Sequence, residues 1–180
     1  MGIEIEKKYR LTSEQAEPLR RRLEEVGAEG QGHAVFEENI IYTGQGLDPL
    51  RRVLRLRRVD GRAVFTFKER EPTDAAIKRQ REEETEVANA DALAAILDAL
   101  GYRPALVYEK RRATWRVAGA EVVLDELPFG LFVEIEGEEV AILAAEKLLN
   151  LESAQAEHAP YPELTLLHGT KKGDVVEARF

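Results

Sequence analysis

Polar and apolar residues alternate from the third position of the chain. Ile3, Ile5 and Tyr9 fall on one side, and Glu4, Glu6 and Lys8 on the other. A side-chain period of two predicts a strand over Ile3 to Leu11. The period then lengthens. Thr12-Ser13-Glu14-Gln15 fits a capping box, and Ala16, Leu19, Leu23 and Val26 follow helical spacing until Gly27 stops the run. Strand-like segments return at Val35 to Thr43, Arg51 to Val59 and Arg62 to Arg70, with Asp60-Gly61 predicting a tight hairpin. Glu71 to Gln80, polar and containing Pro72, predicts a mobile loop.

The same order then recurs. Glu82 to Val87 predicts a strand, and Asn89 or Asp91 caps a helix whose apolar positions are Leu93, Ile96, Leu97 and Leu100, stopped by Gly101. Strands follow at Leu106 to Val117, Ala120 to Leu127 and Leu131 to Gly137. Leu97-Asp98-Ala99-Leu100-Gly101 echoes Leu23-Glu24-Glu25-Val26-Gly27. A βαβββ unit used twice predicts an α+β fold: an eight-stranded antiparallel barrel or tunnel with helices packed outside. A helix over Glu138 to Leu151, a shorter one over Pro162 to Leu167 and a polar tail from 168 to 180 complete one domain with its core at about 3–167.

Sorting the strands by face brings out the chemistry. Arg55 and Arg57 share a face, as do Thr66 and Lys68, Lys110 and Arg112, and Glu134 and Glu136, while Asp125 lies opposite Leu124. A solvated antiparallel sheet can also be charged on one side, but its surface usually mixes both signs. Here positive charge gathers on the central strands and carboxylates at the beginning and end. If these faces point inward, one wall is basic and another acidic. Burying such charges unpaired costs several kcal/mol per ion, so the lumen needs a charged ligand and a metal. A triphosphate with Mg²⁺ or Mn²⁺ fits, because arginines grip phosphate oxygens and carboxylates hold hard cations.

Composition narrows the remaining classes. The chain has 180 residues, 33% of them charged, and a net charge of −8. That balance argues against bulk attraction to nucleic acid or an anionic membrane. The absence of cysteine excludes disulfides and thiolate metal sites. The charged start is unlike a signal peptide, and no apolar run is long enough to span a bilayer, so the expected location is cytoplasmic. His33, His158 and His168 lack ligand spacing and read as surface or loop residues; Trp115 reads as core, and Lys171-Lys172 as a solvated tail.

Glu4-x-Glu6-x-Lys8, Arg55-x-Arg57, Lys68, Lys110-x-Arg112, Asp125, Glu134-x-Glu136 and Tyr161-x-Glu163-Leu164 stand in this order over Ile3 to Leu167. In this the chain resembles the CYTH superfamily of triphosphate tunnel enzymes, and within it the bacterial branch resembling class IV adenylyl cyclase. The resemblance implies that Lys8, Arg55, Arg57, Lys68, Lys110 and Arg112 bind triphosphate. It also implies that Glu4, Glu6, Asp125, Glu134 and Glu136 ligate Mg²⁺ or Mn²⁺, with Glu84 the preferred further ligand on the sixth strand. By the same resemblance Glu6 and Lys8 would be the catalytic pair. Asn39-Ile40-Ile41-Tyr42-Thr43 keeps only part of the family's Asn-x-Tyr-Phe-Asp stretch. The implied substrates are ATP, tripolyphosphate or thiamine triphosphate. Cyclisation of ATP to cAMP is the first expectation, hydrolysis the alternative, and passive polyphosphate binding a third. Neither nucleic acid nor membrane is expected as a partner, and a homodimer is compatible with the sequence.

Overall fold

A computed structural model describes residues 2–30, 32–48, 51–70 and 77–180. Its main strands are β1 (Gly2–Leu11), β3 (Val35–Thr43), β4 (Arg52–Val59), β5 (Arg62–Arg70), β6 (Lys78–Val87), β7 (Arg103–Val117), β8 (Ala120–Leu127) and β9 (Gly130–Glu136). They pair in the order β7-β3-β4-β5-β6-β1-β9-β8, and β8 returns to β7. Every ladder in this ring is antiparallel. The ring is the predicted eight-stranded barrel, closed by β8 along Arg111 to Val117 of β7 and leaving the first half of β7 with an edge beyond that ladder.

Four helices lie outside it: α1 (Ser13–Glu25), α2 (Ala90–Ala99), α3 (Glu139–Leu148) and α4 (Tyr161–His168). The Thr12 N–H donates to Gln15 Oε1 at 2.8 Å, closing one arm of the predicted capping box. Asn89, not Asp91, caps α2, its Oδ1 accepting from the Ala92 N–H at 2.9 Å. Asp60 and Gly61 both have positive φ (48° and 72°), as a tight hairpin between twisted strands requires. α3 stops short of the predicted Leu151, where Asn150 turns to positive φ.

The barrel is charged inside and apolar outside. Leu19 and Leu23 of α1 and Ile142 and Ala145 of α3 pack on Tyr9, Trp115, Val122, Val133 and Ile135, which point outward. Leu97 of α2 packs on Leu56 and Ala63. This leaves the charged strand faces directed into the lumen. One end of the lumen is filled, however. Ile41, Leu106, Tyr108, Leu127 and Phe132 cluster there with Tyr161 and Leu164 of α4, making the tunnel a cup.

Three departures from the sequence expectations matter. Residues 71–76 of the predicted loop lie outside the described residues, but Lys78 to Gln80 are strand, paired with β1 and β5. The tail is also ordered: β11 (Thr170–Lys172) and β12 (Val175–Ala178) form a hairpin, and β12 runs parallel to Leu106–Tyr108 of β7 with Ala178 buried. Two short strands, β2 (Glu29–Gly30) and β10 (Gln155–Ala156), add to β7 and β1. Deleting residues 170–180 strips the partner from one edge of β7, so a truncated chain should melt several degrees lower; an unchanged thermal transition would count against this.

The duplication explains how one unit yields two opposite walls. Both units carry a two-residue hairpin, between Val59 and Arg62 and between Leu127 and Gly130. Superposing the hairpins places Arg57 on Asp125, Thr66 on Glu134 and Lys68 on Glu136. Their partners follow: Asn39, opposite Arg57, matches Arg112, opposite Asp125. Two equivalent lumen positions, Arg57/Asp125 and Lys68/Glu136, thus carry opposite charge, and at the other two a neutral residue matches a charged one.

Candidate active site

The lumen encloses a cavity of about 770 Å³, within the usual range for small-molecule sites. Of the residues singled out in the sequence, Glu4, Glu6, Lys8, Arg55, Arg57, Lys68, Glu84, Lys110, Arg112, Glu134 and Glu136 all line it. They come from six strands of the ring, and the alternation of each strand is what aims them inward.

The two walls meet at ion-paired seams. At the first, Lys68 Nζ lies 2.6 Å from Glu4 Oε2 and 3.1 Å from Glu82 Oε2. Gln80 Nε2 also donates to Glu4 Oε2, at 2.9 Å. Burial and a hydrogen bond with Glu82 raise the Glu4 pKa. Glu82 moves the other way: burial would raise its pKa, but its neighbours Glu4, Lys68 and Arg55 lower it. At the second seam, Arg112 reaches Glu134 Oε2 at 2.6 Å and binds Asp125 through Nε at 2.7 Å.

Asp125 itself is fully buried. Besides Arg112 it takes Lys110 at 3.3 Å and the Tyr161 hydroxyl at 2.8 Å. Burial alone would raise its pKa, but Arg112 and Lys110 hold it far below the carboxylate range. It is absent from the cavity lining. Asp125, expected as a metal ligand, is here the buried counter-ion of Arg112 and Lys110. Glu84, the further ligand expected on the sixth strand, stands on the basic side: Arg57 lies 3.3 Å away and the Thr66 hydroxyl donates to it at 3.0 Å.

The uncompensated carboxylates lie elsewhere. Glu121, Glu136 and Glu6 stand directly opposite one another across β8, β9 and β1. Among the described residues, neither Glu6 nor Glu136 has a cation within 4.0 Å or a side-chain hydrogen bond. Like charges directly opposed on a sheet repel. Desolvation, then Glu134 and Glu4, raise the Glu6 pKa. Desolvation and Glu4 push Glu136 up to about 7. Among the described residues no three such side chains converge closely enough to hold an ion as placed. The fit to a divalent cation is therefore one of chemistry: hard oxygen donors whose excess negative charge a cation would relieve.

These shifts carry a sign that can be checked. Glu6 and Glu136 bind protons more tightly when folded, so metal-free protein should lose stability as pH rises from about 4.5 through about 7. Mg²⁺ should flatten that slope. A melting temperature that climbs over the same window without metal would contradict it.

Lys8 is 3% exposed, lies 3.7 Å from Glu134 Oε1, and sits 4.3 Å from the centre of the Tyr161 ring. Arg55 is 3.3 Å from the Thr66 hydroxyl. Glu82, Gln80 and Glu121 also belong to the lining, and Glu37 stands behind it; Gln80 falls in the stretch that predicts a loop. His158 remains exposed as expected, yet lines the cavity rim, and Trp115 is buried in the outer core. Lys172, expected as solvated tail, pairs with Glu177 at 2.9 Å.

Comparison with known proteins agrees with this architecture. The PH1012 protein of Pyrococcus horikoshii is 24% identical, with a TM-score of 0.75 over 89% of this chain and 98% of its own. A candidate adenylate cyclase of Vibrio parahaemolyticus is 23% identical, with a TM-score of 0.74 over 90% of this chain and 97% of its own. HpAC1 of Hippeastrum, reported to have a dominant triphosphatase activity, is 19% identical, with a TM-score of 0.62 over 88% and 91%. No curated protein matches the chain. No helix among the described residues is long and apolar enough to cross a membrane. The family model of the CYTH domain matches residues 2–159, and with the closed, charge-lined barrel this places the chain in the CYTH domain family.

Proposed function

We propose that the protein is a divalent-metal-dependent enzyme that hydrolyses a triphosphate held in the barrel lumen. The observation that carries this reading is the lining itself. Cations from β4, β5 and β7 face carboxylates from β1 and β9 across one cavity, and two of the carboxylates lack a partner. A triphosphate supplies the anion for one wall, and a cation bound to it satisfies the other. Arg55, Arg57, Lys68, Lys110 and Arg112 grip phosphate oxygens and give up part of their seam contacts to do so. Glu6 and Glu136 are the residues that would hold Mg²⁺ or Mn²⁺, with Glu4 and Glu134 beside them. When bound, such an ion neutralises phosphate charge and polarises a phosphoryl oxygen.

The remaining work is positioning, which dominates phosphoryl transfer. Lys8, buried against Tyr161, offers its ammonium to the phosphoryl group under attack. A water oxygen forms the new bond to phosphorus, the bridging P–O bond breaks to leave diphosphate, and a lumen carboxylate takes the proton of the water. Hydrolysis is placed ahead of cyclisation because a base finds little committed to it. Of the lining tyrosines, Tyr108 is buried beside Lys110 on β7 and the Tyr161 hydroxyl is bonded to Asp125. Cyclisation of ATP is the second reading, supported by the exposed His158 ring at the rim, where a base could stack.

The test incubates the protein with Mg²⁺ or Mn²⁺ and, separately, tripolyphosphate, thiamine triphosphate and ATP, following phosphate and cAMP. Phosphate without cAMP is expected. cAMP as the main product from ATP would select the second reading, and no turnover of any triphosphate would sink both.

A further inference from the structure

β3 carries a buried carboxylate outside the set assigned above. Glu37 is 4% exposed, and Lys110, directly opposite it in the β3–β7 ladder, is 1% exposed. Glu37 Oε2 lies 3.4 Å from Lys110 Nζ. On the other side of that ammonium stands Asp125 Oδ2 at 3.3 Å, and the centre of the Tyr161 ring is 5.4 Å away. Lys110 lines the cavity and Glu37 does not. The hairpin superposition that matches Arg57 to Asp125 also matches Glu37 to Lys110, so the repeat supplies both halves of this pair from one structural position.

An ammonium has three hydrogens to donate. Here Asp125 of β8 accepts one of them, while Glu37 of β3, the strand on the other side of β7, holds the charge as an ion pair without a hydrogen bond. Asp125 alone cannot centre it, because Asp125 already accepts from Arg112 and Tyr161. Without Glu37, Lys110 would be drawn toward β8 and away from the basic wall. Burial and the neighbouring Arg112 both work against the charged form of Lys110, while Lys110, Arg112 and Arg57 keep Glu37 ionised in spite of burial.

We infer that Glu37 is a positioning residue that anchors Lys110 at the phosphate-binding wall, acting through Lys110 without touching substrate. The inference rests on the triphosphate reading for its catalytic consequence, and on geometry alone for the pair itself. A double-mutant cycle of Glu37→Gln and Lys110→Met tests both. In the metal-free protein each single substitution should lower the melting temperature, and the double variant should be more stable than the sum of the two losses, because two buried charges then leave together. With tripolyphosphate and metal, Glu37→Gln should lower kcat about tenfold or more while changing KM by less than about threefold. The same substitution in the Lys110→Met background should cost nothing further.

Additive stability losses would overturn the pairing. Coupled stability together with wild-type kcat in Glu37→Gln, or an equal further loss in the Lys110→Met background, would overturn the positioning role. A parent protein without turnover would refute the hydrolase reading and the catalytic role with it, and the stability cycle would still decide the pair.

Discussion

Glu6→Gln should cut metal-dependent triphosphate turnover on the order of a hundredfold or more and leave the fold at least as stable as before. Two features of the site combine to give this result. Glu6 is a lumen carboxylate with no cation within 4.0 Å among the described residues, facing Glu136 directly across the β1–β9 ladder and Lys78 across the β1–β6 ladder. It therefore contributes repulsion to the metal-free fold, and an amide of the same shape removes that repulsion. The same carboxylate is one of the lumen carboxylates without an ion pair among the described residues, so its loss falls on chemistry. Glu136→Gln should behave alike. Measuring kcat/KM at saturating Mg²⁺ together with the melting temperature separates the two effects. Wild-type turnover in Glu6→Gln would remove Glu6 from the metal site, and a collapse in melting temperature would show a structural role instead.

Asp125→Asn should fail in the opposite way. This carboxylate is completely buried and holds Arg112, Lys110 and Tyr161 at once. Removing its charge leaves two buried cations short of a counter-ion, a change that typically costs about 3–5 kcal/mol. In a protein of this size that corresponds to a melting temperature lower by roughly 10 °C. Added tripolyphosphate should restore part of the loss, since phosphate would re-pair the freed cations. A variant as stable as the parent would show that Arg112 and Lys110 draw their compensation from Glu134 and Glu37 alone.

The contrast between Glu6 and Asp125 also marks how far the sequence could be read. Both are acidic residues at lumen positions of strands, and alternation identifies each equally well. What separates them is their cross-strand neighbours. Asp125 lies opposite Arg112 and within hydrogen-bond reach of it, whereas Glu6 lies opposite Glu136 and, on its other side, opposite Lys78 with no ion pair within 4.0 Å among the described residues. That pairing depends on barrel closure and register, neither of which one strand reveals. The strands themselves were legible wherever one face was apolar, as at Ile3, Ile5 and Tyr9. β6 was legible only in part, because Lys78 to Glu86 is polar on both faces and is held as a strand by its ladders to β1 and β5.

Glu37 was missed for a related reason. Its segment, Val35 to Thr43, was correctly read as a strand, but Glu37 and Glu38 are adjacent acids that composition cannot tell apart. The barrel turns Glu37 onto Lys110 and leaves Glu38 outside, paired with Arg179 at 2.8 Å. β12 was missed because four residues without strong alternation gain their order from the exposed edge of β7.

The central claim is that the basic and acidic walls together bind one triphosphate with its metal. Titration calorimetry of tripolyphosphate into the protein, with and without Mg²⁺, tests it most directly. The account predicts saturable one-to-one binding that Mg²⁺ strengthens and that Arg55→Gln combined with Arg57→Gln abolishes. Binding that is unsaturable, or that survives the loss of both arginines unchanged, would contradict it.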